Sequence, residues 1–414
     1  MNVGTLLILP LLLLAMVTPL SAQSGWRADA ALVDSLSGGE FIYDEEAVPE
    51  YTLPDPLRKS DGSRITEPEE WEARREEILE LFRENVYGRR PGRPDSLWFE
   101  TLEVDRQALD GAATLRRIAV HSRVEDRHHS FELLLFLPNG VLGRTPVFLL
   151  LNNRPRTNTD PTRQERSGFW PVEEVIDRGF GIAAIQNNEL APDDSLTYRN
   201  GVMQLFEGVA AGERETDAWA ALAAWGWGAS RAMDYFETDP DVDATRVAVL
   251  GHSRGGKAAL WAGAEDPRFS LVISNESGEG GAALARRRFG ETVKRITTSF
   301  PHWFAPRFAE YADRESNLPV DQHMLIALMA PRAVYVASAD EDLWADPRGE
   351  FLSLAHASPV FALWGNAIVR EDQMPGLEQP VHFGRLGYHI RRGAHNLTPY
   401  DWMRFLDFAE YLWR

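Results

Sequence analysis

The sequence predicts an α/β architecture, a mostly parallel central sheet with helices on both faces, on three observations. Short continuous apolar runs (Pro146 to Leu151, Gly181 to Ile185, Ser270 to Ser274, Ala333 to Ala337) have the length and composition of strands buried on both faces. Helical segments alternate with such runs, as right-handed parallel crossovers require. A further apolar run, Arg246 to Leu250, leads straight into Gly251-His252-Ser253-Arg254-Gly255 and then into Lys257 to Ala264, a stretch of good helix formers. A G-x-S-x-G turn between a strand and a helix is the nucleophile elbow of the α/β-hydrolase fold. Its physics is specific: the serine sits in a strained backbone conformation, and the flanking glycines leave room where a Cβ would clash. The N–H groups of the following helix favour negative charge developing at Ser253.

In chain order, Met1 to Ala22 stands apart. Leu6 to Val17 is too short to span a bilayer comfortably but suits the apolar core of a signal peptide, and Ser21-Ala22 suits cleavage, although no Lys or Arg precedes the run and Leu20 is large for its position; the alternative is an uncleaved N-terminal anchor. Residues 1–22 are therefore expected to be a signal peptide, 23–95 an N-terminal extension with a docked helix, and 96–414 the catalytic domain of a secreted or periplasmic protein. Gln23 to about Ser60, rich in proline and without a period, is expected to wrap the surface. Thr66 and Glu69 suggest a capping box, and Glu69 to Val86 places Trp71, Ile78, Leu79 and Phe82 near helical spacing. Leu115 to His121 and Phe131 to Leu137 read as an antiparallel pair joined by the charged turn Glu125 to His128. Ala218 to Phe236 reads as a long helix despite Gly226 and Gly228.

Composition narrows the function. With 414 residues and 44% hydrophobic content the chain builds a sizeable core, and its net charge of −19 repels phosphate, which argues against nucleic acid or anionic lipid as partner. No membrane association is expected once the signal is removed. The absence of cysteine removes disulfides and a lipid anchor on cysteine. Thirteen tryptophans hint at sugar-ring stacking. No heptad and no obvious edge strand suggest assembly, so a monomer is expected.

In this fold the acid and then the histidine follow the serine. His395, the last histidine, lies in Gly393-Ala394-His395-Asn396, a loop suited to swing an imidazole over Ser253 as general base, with His389 as the alternative. The acid is either Glu276, after Ser270 to Ser274, or a member of Asp340-Glu341-Asp342, after Ala333 to Ala337. Pattern alone does not choose.

At these residues the chain resembles the glucuronoyl esterases of carbohydrate esterase family 15. The stretch Gly251-His252-Ser253-Arg254-Gly255-Gly256-Lys257-Ala258 is similar to the family's G-C-S-R-x-G-K-x motif, with His252 in place of the usual cysteine. Trp225 to Ala232, Asn275-Glu276-Ser277-Gly278, Phe289 to Thr292, Ser299 to Phe304, Gly387-Tyr388-His389, and His395 with Leu397 to Trp402 carry the likeness to the C-terminus. The resemblance implies Ser253 as nucleophile, His395 as base, Glu276 as the acid of fungal type and Asp342 as a second acid of bacterial type. Glu276 is preferred, because it sits in the better motif match. It further implies Arg254 as oxyanion donor, through its backbone N–H and guanidinium, and Lys257, Glu291 and Trp344 as contacts to the sugar. The implied function is a serine esterase for 4-O-methyl-glucuronoyl esters, as between glucuronoxylan and lignin alcohols, with no metal and no organic cofactor. The alternative on the same fold is a carbohydrate acetyl esterase, which gives no reason for Arg254 and Lys257 so close to Ser253.

Overall fold

The computed structural model describes residues 25–208 and 214–413, so the expected signal peptide lies outside the described residues. The strands are β1 (Ser96–Ala108), β2 (Ala113–Val124), β3 (Arg127–Pro138), β4 (Thr145–Asn152), β5 (Gly181–Gln186), β6 (Val242–His252), β7 (Leu271–Asn275), β8 (Ala333–Ala339), β9 (Val381–Phe383) and β10 (Leu386–Arg391). Among the described residues they form one sheet in the order β1-β2-β3-β5-β4-β6-β7-β8-β10-β9. The run from β5 through β10 is parallel, while β1 to β3 enter antiparallel and β9 closes antiparallel on β10.

Side chains alternate between two cores. Val147, Leu149, Val249, Val272 and Val336 face one layer, and Phe148, Leu150, Leu250, Ile273 and Tyr335 face the other. The first layer is covered by α1 (Trp71–Phe82), α2 (Ala221–Phe236), α3 (Arg254–Glu265) and α4 (Pro347–Phe361), and the second mainly by α5 (Pro399–Trp413). Gly226 and Gly228 sit inside α2 because neighbours come close. A Cβ at Gly226 would lie 3.4 Å from the Ala262 nitrogen of α3, and one at Gly228 would meet Leu190 Cδ1 at 2.2 Å. Helix α1 buries Trp71, Ile78 and Phe82 in the same cluster as the sheet.

Several expectations need correction. The capping box does not form: Glu70, rather than Glu69, reaches back to the Thr66 N–H at 3.3 Å, and a 3-10 turn over Pro68–Glu70 precedes α1 with no side-chain cap. The segment expected to be extended contains a helix, Ala30–Leu36. An edge strand does exist: β1 is long, and both of its faces are largely solvent-exposed, which removes the alternation that would have revealed it. No helix among the described residues is long and apolar enough to cross a membrane.

Candidate active site

The C-terminal ends of β6, β7, β8 and β10 converge, as ligand-binding ends do in open α/β sheets. Ser253 directly follows β6 and caps α3 at φ 56° and ψ −127°, a strained conformation for a non-glycine residue, and is half-buried. The turn is possible because Gly251 and Gly255 lack side chains. A Cβ on Gly251 would meet the Gly255 oxygen at 2.1 Å, and one on Gly255 would meet the Leu151 oxygen at 2.9 Å. The Ser253 N–H donates to the Asn275 carbonyl at 2.9 Å, tying the turn to the end of β7. Arg254 opens α3, so its N–H is among the unpaired donors of a helix start.

His395 lies in the loop after β10, its ring centroid 4.4 Å from that of His252, the residue before Ser253. His252 is fully buried and neutral: burial and the neighbouring His395 hold it well below the ordinary histidine range. Its Nδ1–H donates to Asn275 Oδ1 at 2.6 Å, and its Nε2 accepts from Arg154 at 3.3 Å. His395 Nδ1 donates to Asp342 Oδ2 at 2.6 Å and lies 3.3 Å from Glu276 Oε2. The structure thus brings both expected acids to one imidazole nitrogen. The nearer is Asp342, although the motif match had favoured Glu276. Burial alone would lower the His395 pKa, but the hydrogen bonds to Asp342 and Glu276 and their charges bring it up to about 9.

Glu276 is more deeply engaged. Its φ of 47° turns the chain sharply at the end of β7. One oxygen accepts from Arg391 at 2.5 Å, and the other accepts the Asn396 N–H at 2.9 Å, beside His395. Burial raises its carboxyl to about 7, against the lowering contributions of His395 and Arg391. Arg391 also donates to Asp401 at 2.9 Å and to the Ala394 carbonyl at 3.1 Å, so it ties down the loop that carries His395. His389 is placed elsewhere. It is fully buried in β10, its Nε2 2.8 Å from Asp401 and its Nδ1 3.0 Å from the Tyr335 hydroxyl.

Arg254 projects its guanidinium 5.3 Å above the Trp303 ring and pairs with Asp193. Asp193 also accepts from His302 at 2.9 Å and Trp303 at 2.7 Å. Burial would raise its carboxyl, but these donors and Arg254 hold it at about 2. Lys257 is buried; its ammonium donates to the Ser277 carbonyl and lies 4.0 Å from Glu291 and 5.9 Å from the Trp303 ring centre. The Glu291 N–H donates to the Trp344 carbonyl at 3.0 Å, so Lys257, Glu291 and Trp344 form one cluster. The N-terminal extension reaches the same place. Ile42 bridges Phe289 and accepts the Gly290 N–H at 2.8 Å, which sets Phe41 edge-on to Trp344 at 4.8 Å. Tyr43 lies close enough to Asp342 that burial first, and then that charge, raise its hydroxyl pKa.

Glu276, Asp342 and His395 offer ligand atoms within 4.8 Å of one another, a spacing that could hold a cation. Here the donors are engaged internally: Glu276 by Arg391 and the Asn396 N–H, and Asp342 by His395.

A family model described as glucuronyl esterase, fungi, matches residues 173–365. The carbohydrate esterase MZ0003, from an unknown prokaryotic organism, is 43% identical over 399 residues, spanning 90% of this chain and 92% of its own. A promiscuous esterase of carbohydrate esterase family 15 from a marine bacterial metagenome superposes with a TM-score of 0.81 at 43% identity, over 90% of this chain and 99% of that one. The chain belongs to the glucuronoyl esterase family. The esterase is likewise similar to the glucuronoyl esterase from Solibacter usitatus, with a TM-score of 0.84 at 42% identity over 89% of this chain and 100% of that one. The 4-O-methyl-glucuronoyl methylesterase of Schizophyllum commune is 29% identical over 329 residues, 76% of this chain and 74% of its own. The esterase is thus a carboxylic ester hydrolase by family, with the α/β-hydrolase fold.

Three residues around the site were not found from the sequence. Asp193 sits in Pro192-Asp193-Asp194-Ser195, which reads as a solvated turn. Arg391 is one of two adjacent arginines, and only the burial of β10 distinguishes it from the exposed Arg392. Phe41 lies far from every motif in a stretch with no period.

Proposed function

We propose that the esterase hydrolyses 4-O-methyl-glucuronoyl and related hexuronate esters through an acyl-enzyme on Ser253. The observation that carries this reading is the His395 imidazole, held by Asp342 at 2.6 Å beside a strained serine turn. With Nδ1–H fixed by a carboxylate, Nε2 is the basic nitrogen. Ser253 Oγ attacks the uronate carbonyl and its proton passes to His395 Nε2. The oxyanion takes the Arg254 N–H and the charge of its guanidinium. The tetrahedral adduct collapses, and the alcohol leaves with the proton from His395. Water, deprotonated by the same nitrogen, then attacks the acyl-enzyme, releasing uronate and regenerating Ser253. Asp342 and Glu276 share the task of orienting and stabilising the imidazolium. No step calls for a metal or an organic cofactor.

Glu291 and Trp344, with Lys257 beneath them, are read as the sugar-binding wall. The natural substrate in this reading is an ester between a glucuronoxylan side chain and a lignin alcohol. The protein acts as a secreted or periplasmic monomer, with residues 23–95 as a docked extension and 96–414 as catalytic domain. The test is turnover of benzyl or methyl glucuronate against acetylated xylan. Faster hydrolysis of acetyl groups would overturn the reading in favour of an acetyl esterase.

A further inference from the structure

Glu350 is a carboxyl group that the reaction above does not use. It sits in the first turn of α4, is fully buried, and is close enough to Asp342 and Glu276 to feel both charges. One oxygen accepts two successive backbone N–H groups, those of Ser277 at 2.8 Å and Gly278 at 3.0 Å. These are the residues directly after Glu276, and with Glu276 at φ 47° and Gly278 at φ 58° their N–H groups converge as in an anion-binding backbone nest. The other oxygen accepts the Ser338 hydroxyl of β8 at 2.6 Å, and the Tyr388 hydroxyl of β10 donates to the same Ser338 oxygen at 3.0 Å.

The chain path gives this clasp its meaning. Asp342 immediately precedes the turn Leu343–Ala345, which leads through Asp346 into α4, so whatever holds the start of α4 holds Asp342. Glu350 docks that helix start onto the Glu276 turn and onto the end of β8. We propose that Glu350 is a positioning residue that fixes the separation of Asp342 and Glu276, so that both carboxylates reach the single His395 nitrogen. The inference rests on His395 being the base.

The groups around Glu350 agree with a clasp in its uncharged form. Burial raises its pKa to about 8, with hydrogen bonds from Ser338 and Gly278 lowering it and the charges of Asp342 and Glu276 raising it further. A third negative charge beside two acids that share one histidine would be unfavourable, whereas a neutral carboxyl still accepts the two N–H groups on one oxygen and donates its own proton to the Ser338 oxygen from the other.

The experiment follows the His395 imidazole by NMR titration in full-length Ser253→Ala protein, and turnover in the otherwise wild-type protein. Glu350→Ala should lower the His395 midpoint by about one unit as a carboxylate withdraws. It should reduce kcat by roughly tenfold or more with KM little changed, the loss expected for one charge-assisted hydrogen bond. Glu350→Gln retains the acceptor for both N–H groups and should restore both values below pH 8. A folded Glu350→Ala protein with an unmoved His395 midpoint overturns the proposal, because a residue that only stabilises the fold would lower melting temperature and leave the midpoint alone. If Glu350→Ala does not fold, Ser338→Ala, which removes only the β8 arm, decides: a lowered midpoint supports the clasp, and an unchanged one refutes it. Wild-type protein that fails to cleave glucuronate esters, while the His395 midpoint still responds to Glu350, would sink the esterase reading and not this one.

Discussion

Replacing Asp342 by Ala tests how two acids divide one role. His395 Nδ1 loses its 2.6 Å partner, but Glu276 Oε2 already stands 3.3 Å away and needs only a small movement to replace it. The net loss is then that of one charge-assisted hydrogen bond, about 1.5–3 kcal/mol, or roughly ten- to a hundredfold in kcat. For Glu276 the informative change is to Gln. Ala would leave the buried Arg391 charge with Asp401 alone and would destabilise the fold by about 3–5 kcal/mol, confounding the kinetics. Glu276→Gln should cost less than Asp342→Ala, because its contact to His395 is the longer one. The double variant removes every carboxylate from the imidazole and should lose on the order of ten-thousandfold, as when the triad acid is removed from a serine protease. That exceeds the product of the single losses, the signature of groups sharing a function. The assay is kcat on benzyl glucuronate, with melting temperatures recorded for each protein. A dead Asp342→Ala beside a silent Glu276→Gln would refute the sharing and leave Asp342 as the acid; the reverse pattern would restore Glu276.

Three further outcomes are expected. Ser253→Ala and His395→Ala should each abolish turnover by several orders of magnitude at unchanged melting temperature, since the residues act as a unit, and a His395→Ala protein of near-normal activity would be incompatible with the mechanism. Arg254→Ala should lower kcat about a hundredfold with a smaller effect on KM, and Asp193→Asn, which frees the guanidinium from its anchor, should give an intermediate loss; a pure KM effect at Arg254 would assign it to ground-state binding instead. Because the His395 pKa is raised to about 9 and the base must be unprotonated, kcat/KM should climb with pH towards that value, and in Asp342→Ala the climb should move to lower pH. A profile flat from pH 6 to 9 would contradict this.

Where the sequence was legible, local physics and global fold agreed. The elbow and the parallel strands announce themselves because burial on both faces leaves mostly apolar residues, and because a strained serine needs glycine on either side. Strand β1 was hidden because neither face is buried, so no period marks it. Strand β10 was hidden for the opposite reason. It is wholly buried yet contains Gly387, His389 and Arg391, polar or small residues tolerated only because Asp401, Glu276 and Tyr335 receive them. The acids could be narrowed to Glu276 and the Asp340 to Asp342 run, since strand ends are visible in sequence. Their relative reach was not visible, because it depends on how the two Glu276 oxygens are divided among Arg391, the Asn396 N–H and the imidazole. Asp193 carried no signal at all, since its partners Arg254, His302 and Trp303 come from separate parts of the chain.

Phe41 and Tyr43 impose an order on the birth of the molecule. They are among the first residues of the described chain to leave the ribosome, yet the partners that seat them, Phe289, Gly290 and Trp344, are made long afterwards. Contacts of such sequence separation form late, because the intervening loop must close before they reward it. The rim beside Asp342 is therefore open in a nascent chain even after the strands of the central sheet have begun to pair. The rim is finished only when residues 41–43 meet Phe289, Gly290 and Trp344.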